Sequence, residues 1–243
     1  MRNPKGWLVC VMAVAIGLVV LGSPPRASAD FVLALQADGG PITVVATAPS
    51  FTPVTASGIF GNYTYTFFSA VATNSALDSN LLSSTTQIQA LTADPHTLSL
   101  YVSNQDYTLP ADTLLTVRSG LGGTYGSTPG FIGAATFQMW ADAGNGLLNT
   151  SGTFTNGLQI ANPASGNAVT FDTGVDPTGI FTRLAGLPYS VTNITTITTS
   201  GLGNVNYSNH VRLAAAVPEP GLLLVGLMGV SGLGLYIGLR RKR

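Results

Sequence analysis

The residues best suited to chemistry sit in acidic, glycine-containing loops. Asp142 stands beside Gly144-Asn145-Gly146, and Asp172 and Asp176 lie four apart in Asp-Thr-Gly-Val-Asp-Pro-Thr-Gly. Carboxylates at that spacing can ligate calcium together with backbone oxygens, although the EF-hand order is absent. Two carboxylates can also act as acid and base in glycoside hydrolysis. Both would have to be Asp, because residues 30–217 contain no Glu. The same residue types serve equally well as plain turn formers. Trp140 follows Phe137-Gln138-Met139 and precedes Ala141-Asp142 at a strand end, where its ring either fills the core or stacks on a sugar. Tyr125 lies in a glycine-rich stretch with the same two options.

Other chemistries lack their raw material. The two histidines, His96 and His210, cannot build a standard structural zinc site without cysteine. Gly-x-Ser-x-Gly, phosphate-loop and dinucleotide patterns are absent from the sequence. No cofactor and no metal site is implied. Between Asp30 and Val217, nine Asp against three Arg leave a net charge of −6. An acidic body repels phosphate, so nucleic acid is not an expected partner.

The elements that must position these residues are strands. Leu98, Leu100 and Val102 alternate with Thr97, Ser99 and Tyr101. Val205, Tyr207, Asn209, Val211 and Leu213 alternate with Asn206, Ser208, His210 and Arg212. Tyr63, Tyr65 and Phe67 are placed on one face, with Thr64, Thr66 and Phe68 on the other. Period two with Thr-rich outer faces predicts half-buried antiparallel strands. Further strands are expected over 31–36, 42–47, 85–91, 113–118, 131–139, 153–160, 168–172 and 189–198. Turn chemistry separates them at Asp38-Gly39-Gly40-Pro41, Asp94-Pro95, Gly122-Gly123, Asn145-Gly146, Asn156-Gly157 and Asp176-Pro177. About ten to twelve short strands predict one all-β domain over 30–216, an antiparallel β-sandwich or jelly-roll-like fold.

The two ends read differently. Residues 1–29 form a secretory signal peptide: basic Arg2 and Lys5, an apolar run from Trp7 to Gly22, and the small residues Ala27-Ser28-Ala29 at the cleavage site. Cys10, the only cysteine, leaves with it, so the mature body has no disulfide and no thiol nucleophile. At the other end, residues 221–239 are uncharged and glycine-rich. As a helix they measure roughly 28 Å, enough to cross a hydrocarbon core. Arg240, Arg241, Lys242 and Arg243 follow and hold that end in the cytoplasm. Before the helix, Val217-Pro218-Glu219-Pro220 is a stiff, extended peptide that a protease can grip.

The order Pro-Glu-Pro, apolar glycine-rich helix and Arg-rich end over 217–243 closely resembles the PEP-CTERM sorting signal of Gram-negative bacteria. That resemblance implies Sec export, then cleavage near the motif by the membrane protease-transpeptidase exosortase. It also implies a host that makes exopolysaccharide, and a product at the cell surface or in the extracellular biofilm matrix. The strand Thr97–Ser103, the turn Asp106-Tyr107-Thr108-Leu109-Pro110 and Gly122-Gly123-Thr124 resemble uncharacterised domains found ahead of this signal, which carry no activity with them. The resulting expectation is an exported surface protein without catalysis. The alternative is a secreted carbohydrate- or calcium-binding module, or a hydrolase acting on polysaccharide.

Overall fold

The computed structural model describes residues 31–127, 132–165, 169–174 and 178–216. The leader with Ala27 and Ala29, the motif Val217–Pro220, the apolar segment 221–239, the basic end and Asp176 all lie outside the described residues.

Strands alone make up the regular structure among the described residues, and no helix there is long and apolar enough to cross a membrane. In chain order they are β1 (Phe31–Ala37), β2 (Thr43–Ala48), β3 (Val54–Phe60), β4 (Tyr63–Asn74), β5 (Asp78–Ala90), β6 (His96–Tyr107) and β7 (Leu114–Ser127). Then come β8 (Ile132–Asp142), β9 (Phe154–Thr155), β10 (Gln159–Ser165), β11 (Val169–Asp172), β12 (Thr178–Thr182), β13 (Tyr189–Ser200) and β14 (Gly203–Ala215). They form two seven-stranded antiparallel sheets. The first runs β10-β8-β13-β6-β1-β2 with β9 beside β8; the second runs β11-β7-β14-β5-β4-β3 with β12 also on β7.

The sheets pack face to face because each strand buries alternate residues. Phe31, Leu33, Leu100, Phe137 and Val191 come from the first sheet; Phe68, Leu81, Val117, Val205 and Val211 come from the second. All are buried in one continuous core. This is a β-sandwich, as the alternation predicts. Polar contacts also bridge the sheets: the Tyr63 hydroxyl meets Thr199 Oγ1 at 3.0 Å.

Two details depart from the sequence reading. Phe68 is buried with Tyr63 and Tyr65, not opposite them. Register shifts between Ala56 and Gly58 against β4, and between Val205 and Tyr207 against β5, explain it. The β4–β5 pairing itself keeps one register throughout, so both strands change face together at this level. The Gly122-Gly123 pair, expected in a turn, lies inside β7. A Cβ on Gly123 would sit 2.5 Å from the Phe171 ring and 2.2 Å from Asn206 O. The strand carries glycine there because an aromatic ring from β11 lies across it. That ring packs 4.3 Å from Tyr125, which is therefore a core residue.

Candidate functional site

Asp142 ends β8 and organises the loop that follows. Its Oδ1 accepts from the Gly144 amide at 3.0 Å, and its Oδ2 from the Gly146 amide at 3.0 Å and Asn149 Nδ2 at 2.8 Å. Burial alone would raise this carboxyl, but the Asn149 side chain and the two glycine amides outweigh it, so it titrates below its ordinary value. Both oxygens are occupied by the loop's own donors. The glycines are needed because a Cβ on Gly146 would meet Asp142 Oδ2 at 3.0 Å.

The loop so held folds back over the outer face of the first sheet. Leu147 and Leu148 pack on Val32, Ala34 and Tyr101. The Leu148 amide donates to Ser103 Oγ at 2.9 Å, and Ser190 Oγ donates to Gly146 O at 2.7 Å. Asn145 and Asp106 exchange bonds at 2.8 and 3.0 Å. Asp142 is thus the anchor of a structural loop. Asp142→Asn should cost about 1–3 kcal/mol, since an amide turned toward N–H donors leaves a buried group unpaired. The pH dependence gives a second check. A carboxyl lowered on folding adds stability in full above its ordinary value of 3.8 and loses it as pH falls through the lower folded value. Acid melting of the chain carrying Asp142→Asn should therefore be flatter below that pH; matching acid limbs would reject the assignment.

Asp172 is exposed at the end of β11, and its Oδ1 accepts from the Gly174 amide at 2.8 Å, a local turn. Its proposed partner Asp176 lies outside the described residues. Among the described residues no three of His, Cys, Asp and Glu gather into a metal-sized cluster. His96 Nδ1 lies 3.0 Å from Asp38 Oδ2 and 3.0 Å from Asn62 Nδ2, at the turn joining β1 to β2. His210 is half-buried on the outer face of β14, in register with Leu82 and Gly120.

Trp140 has the setting the acidic residues lack. Its neighbours Met139 and Ala141 point into the core, so its ring emerges on the outer face of the first sheet. There it borders a shallow depression of about 150 Å³. The floor comes from three adjacent strands, β8, β13 and β6. Thr136, Thr196 and Ser99 stand in one cross-strand row; Gln138, Ile194 and Tyr101 form the next. Thr196 and Ser99 hydroxyls meet at 3.0 Å. Tyr101 donates to Gln36 Oε1 at 2.6 Å, and burial raises its phenol above the usual range, so it stays a neutral donor. Leu158, between β9 and β10, lines another side. Sequence reasoning singled out Trp140 but none of these partners. The Thr-rich alternation of β13 was the available signal, and strand order was the missing one.

No family model matches the chain, and no curated protein matches its sequence. Among solved structures it is similar to the enzymatically active domain of tailspike protein 4 of bacteriophage CBA120, at 10% identity and a TM-score of 0.23, over 75% of this chain and 19% of that one. A structure of the infectious bursal disease virus Gx strain is similar at 13% identity and a TM-score of 0.21, over 76% of this chain and 45% of that one. The chain thus spans less than half the length of either. At these scores neither likeness bears on function.

Proposed function

We propose that this chain is an exported surface or matrix protein without catalysis of its own. The Sec machinery threads it out, the leader is removed after Ala29, and the β-sandwich folds outside the cytoplasm. The tail then holds it at the inner membrane until exosortase cleaves near Val217–Pro220. The body passes to the surface or the exopolysaccharide matrix of a Gram-negative host. The supporting observation is the sequence of the tail: gripping motif, apolar segment and basic end come in that order after β14, which stops at Ala215. Asp142 supports the non-catalytic side of the reading, since its oxygens are engaged in holding a loop.

Replacing Pro218-Glu219-Pro220 with alanines tests the reading. The unprocessed chain should accumulate in the inner membrane fraction, and the surface and medium fractions should be depleted by about tenfold or more, as for loss of most of the recognition free energy. Identical fractionation of the two forms would reject sorting through this motif. A carbohydrate-binding module is the second reading, favoured by the depression at Trp140.

A further inference from the structure

We propose that the depression on the outer face of the first sheet binds a neutral oligosaccharide segment. The inference deepens the second reading above, and it needs the surface location only to explain where the ligand is met.

The floor is uncharged: Trp140, Gln138, Thr136, Thr196 and Ser99 offer one ring, hydroxyls and one amide, beside the largely buried Tyr101 and the apolar Ile194 and Leu158. A phosphate chain or an acidic sugar would find no cation here. Lipid is excluded by the hydroxyl row, which an acyl chain would desolvate without pairing. An extended peptide binds sheets through a free edge. None exists here, because β8, β13 and β6 are each paired on both sides.

A neutral pyranose chain fits what remains. Each ring has an apolar face to lay against an indole and a rim of hydroxyls that both donate and accept. The protein side mirrors this. Hydroxyls such as those of Thr196 and Ser99, which already share one bond, rotate to donate or accept with their remaining capacity. Successive rows along a strand are about 6.7 Å apart and strands about 4.8 Å apart, so the two rows and the indole form a platform on the scale of a short oligosaccharide.

The platform is also held in place before any ligand arrives. Tyr101 is fixed by Gln36, whose Nε2 in turn donates to Gly40 O at 2.7 Å. Tyr101 clusters with Val32 and Ala34, and Ile194 packs on that cluster together with Leu147 and Leu148 of the loop that Asp142 anchors. Pre-ordered side chains lower the entropic cost of binding.

The chain contains two tryptophans, and Trp7 lies in the leader. A full chain carrying Trp7→Phe, kept in a polyoxyethylene detergent that has no sugar headgroup, therefore reports from Trp140 alone. It would be titrated with neutral hexasaccharides of β-1,4-glucan, α-1,6-glucan and β-1,4-mannan, with hexagalacturonate, and with a neutral Ser/Thr hexapeptide. Saturable quenching and a blue shift with at least one neutral glycan are expected, and none with the acid or the peptide. Gln138→Ala and Thr196→Val should each weaken that glycan about tenfold while lowering the melting temperature by no more than about 4 °C. Leu82→Ser, on the other sheet, should not. Trp140→Ala, followed by calorimetry, should abolish the heat of binding. No response to any neutral glycan, an equal response to the acid or peptide, or full affinity in Gln138→Ala and Thr196→Val would each overturn the proposal. None of these outcomes touches the fractionation result, so the two readings fail separately.

Discussion

Asn209→Leu is expected to cost about 3 kcal/mol, although it makes the core more apolar. Asn209 projects from β14 into the centre of the sandwich and is 3% exposed. Its Oδ1 accepts from the Ser83 amide at 3.1 Å and Ser83 Oγ at 2.9 Å on the neighbouring strand. Its Nδ2 crosses to the other sheet and donates to Thr195 Oγ1 at 2.8 Å, with Asn193 Oδ1 at 3.4 Å. Removing one member orphans several buried groups at once, at about 1–3 kcal/mol each, partly offset by the leucine's transfer out of water, about 2 kcal/mol. For a domain of this size the melting temperature should fall by roughly 6–12 °C.

The same physics makes a second, opposite prediction. Replacing the whole cluster, with Asn209→Leu, Asn193→Leu, Thr195→Val and Ser83→Ala together, should recover part of the loss, because the orphans that remain are the Ser83 amide and the buried Tyr207 hydroxyl, which faces Ser83 and Thr195. Urea midpoints at constant slope would measure both. If the single change is harmless, or the fourfold change is no better than the single one, the cluster does not hold the sheets as described.

The parity of Asn209 was legible in the sequence, and its partners were not. Alternation along 205–213 places it inward with Val205 and Val211, where it is found. Nothing local says that Thr195, 14 positions earlier, faces it from the opposite sheet. The same limit applies at the candidate site. Trp140 can be picked out by type, yet Ser99 and Thr196, 97 positions apart, become neighbours only through strand order. Strand existence was read best where one face is fully buried, as in β6 and β14. Two strands were missed outright, β3 and β12, both mostly exposed, and the single strand expected over 153–160 is instead β9 and the start of β10. A strand with little to bury shows no apolar alternation for the eye to find. The paired face change in β4 and β5 escaped for a different reason: an extra residue shifts period two without changing composition.

Arg183 is the other residue whose removal should cost most, about 3 kcal/mol for Arg183→Met. Its side chain enters the interior at 4% exposure, and the partners of its guanidinium are carbonyls. Nη1 donates to Thr108 O at 2.7 Å and Pro110 O at 2.6 Å, and Nη2 donates to Leu187 O at 2.9 Å. Its carbon Cζ lies 5.3 Å from the centre of the Tyr189 ring. One planar fork thus ties the link between β6 and β7 to the link between β12 and β13. Methionine keeps the stem's packing and removes a costly buried charge, but it leaves carbonyls without donors, and the second effect is the larger. Arg183→Lys should recover only part of the loss, because a single ammonium cannot match a fork aimed at two separate links.

Tyr189 supplies an independent readout of the same contact. Burial is the main cause that pushes its phenol up, to about 12, while a bond with Ser79 and the Arg183 charge pull it down. A group raised on folding adds stability in full below its ordinary value of 10.0 and loses it as pH rises through the folded one, so alkaline unfolding should fall in that window. With Arg183→Met the phenol should titrate higher still, because a neighbouring positive charge has gone. Ultraviolet titration of the tyrosinate band, beside a urea melt at neutral pH, would measure both effects. A wild-type melt together with an unmoved alkaline limb would show that Arg183 joins nothing.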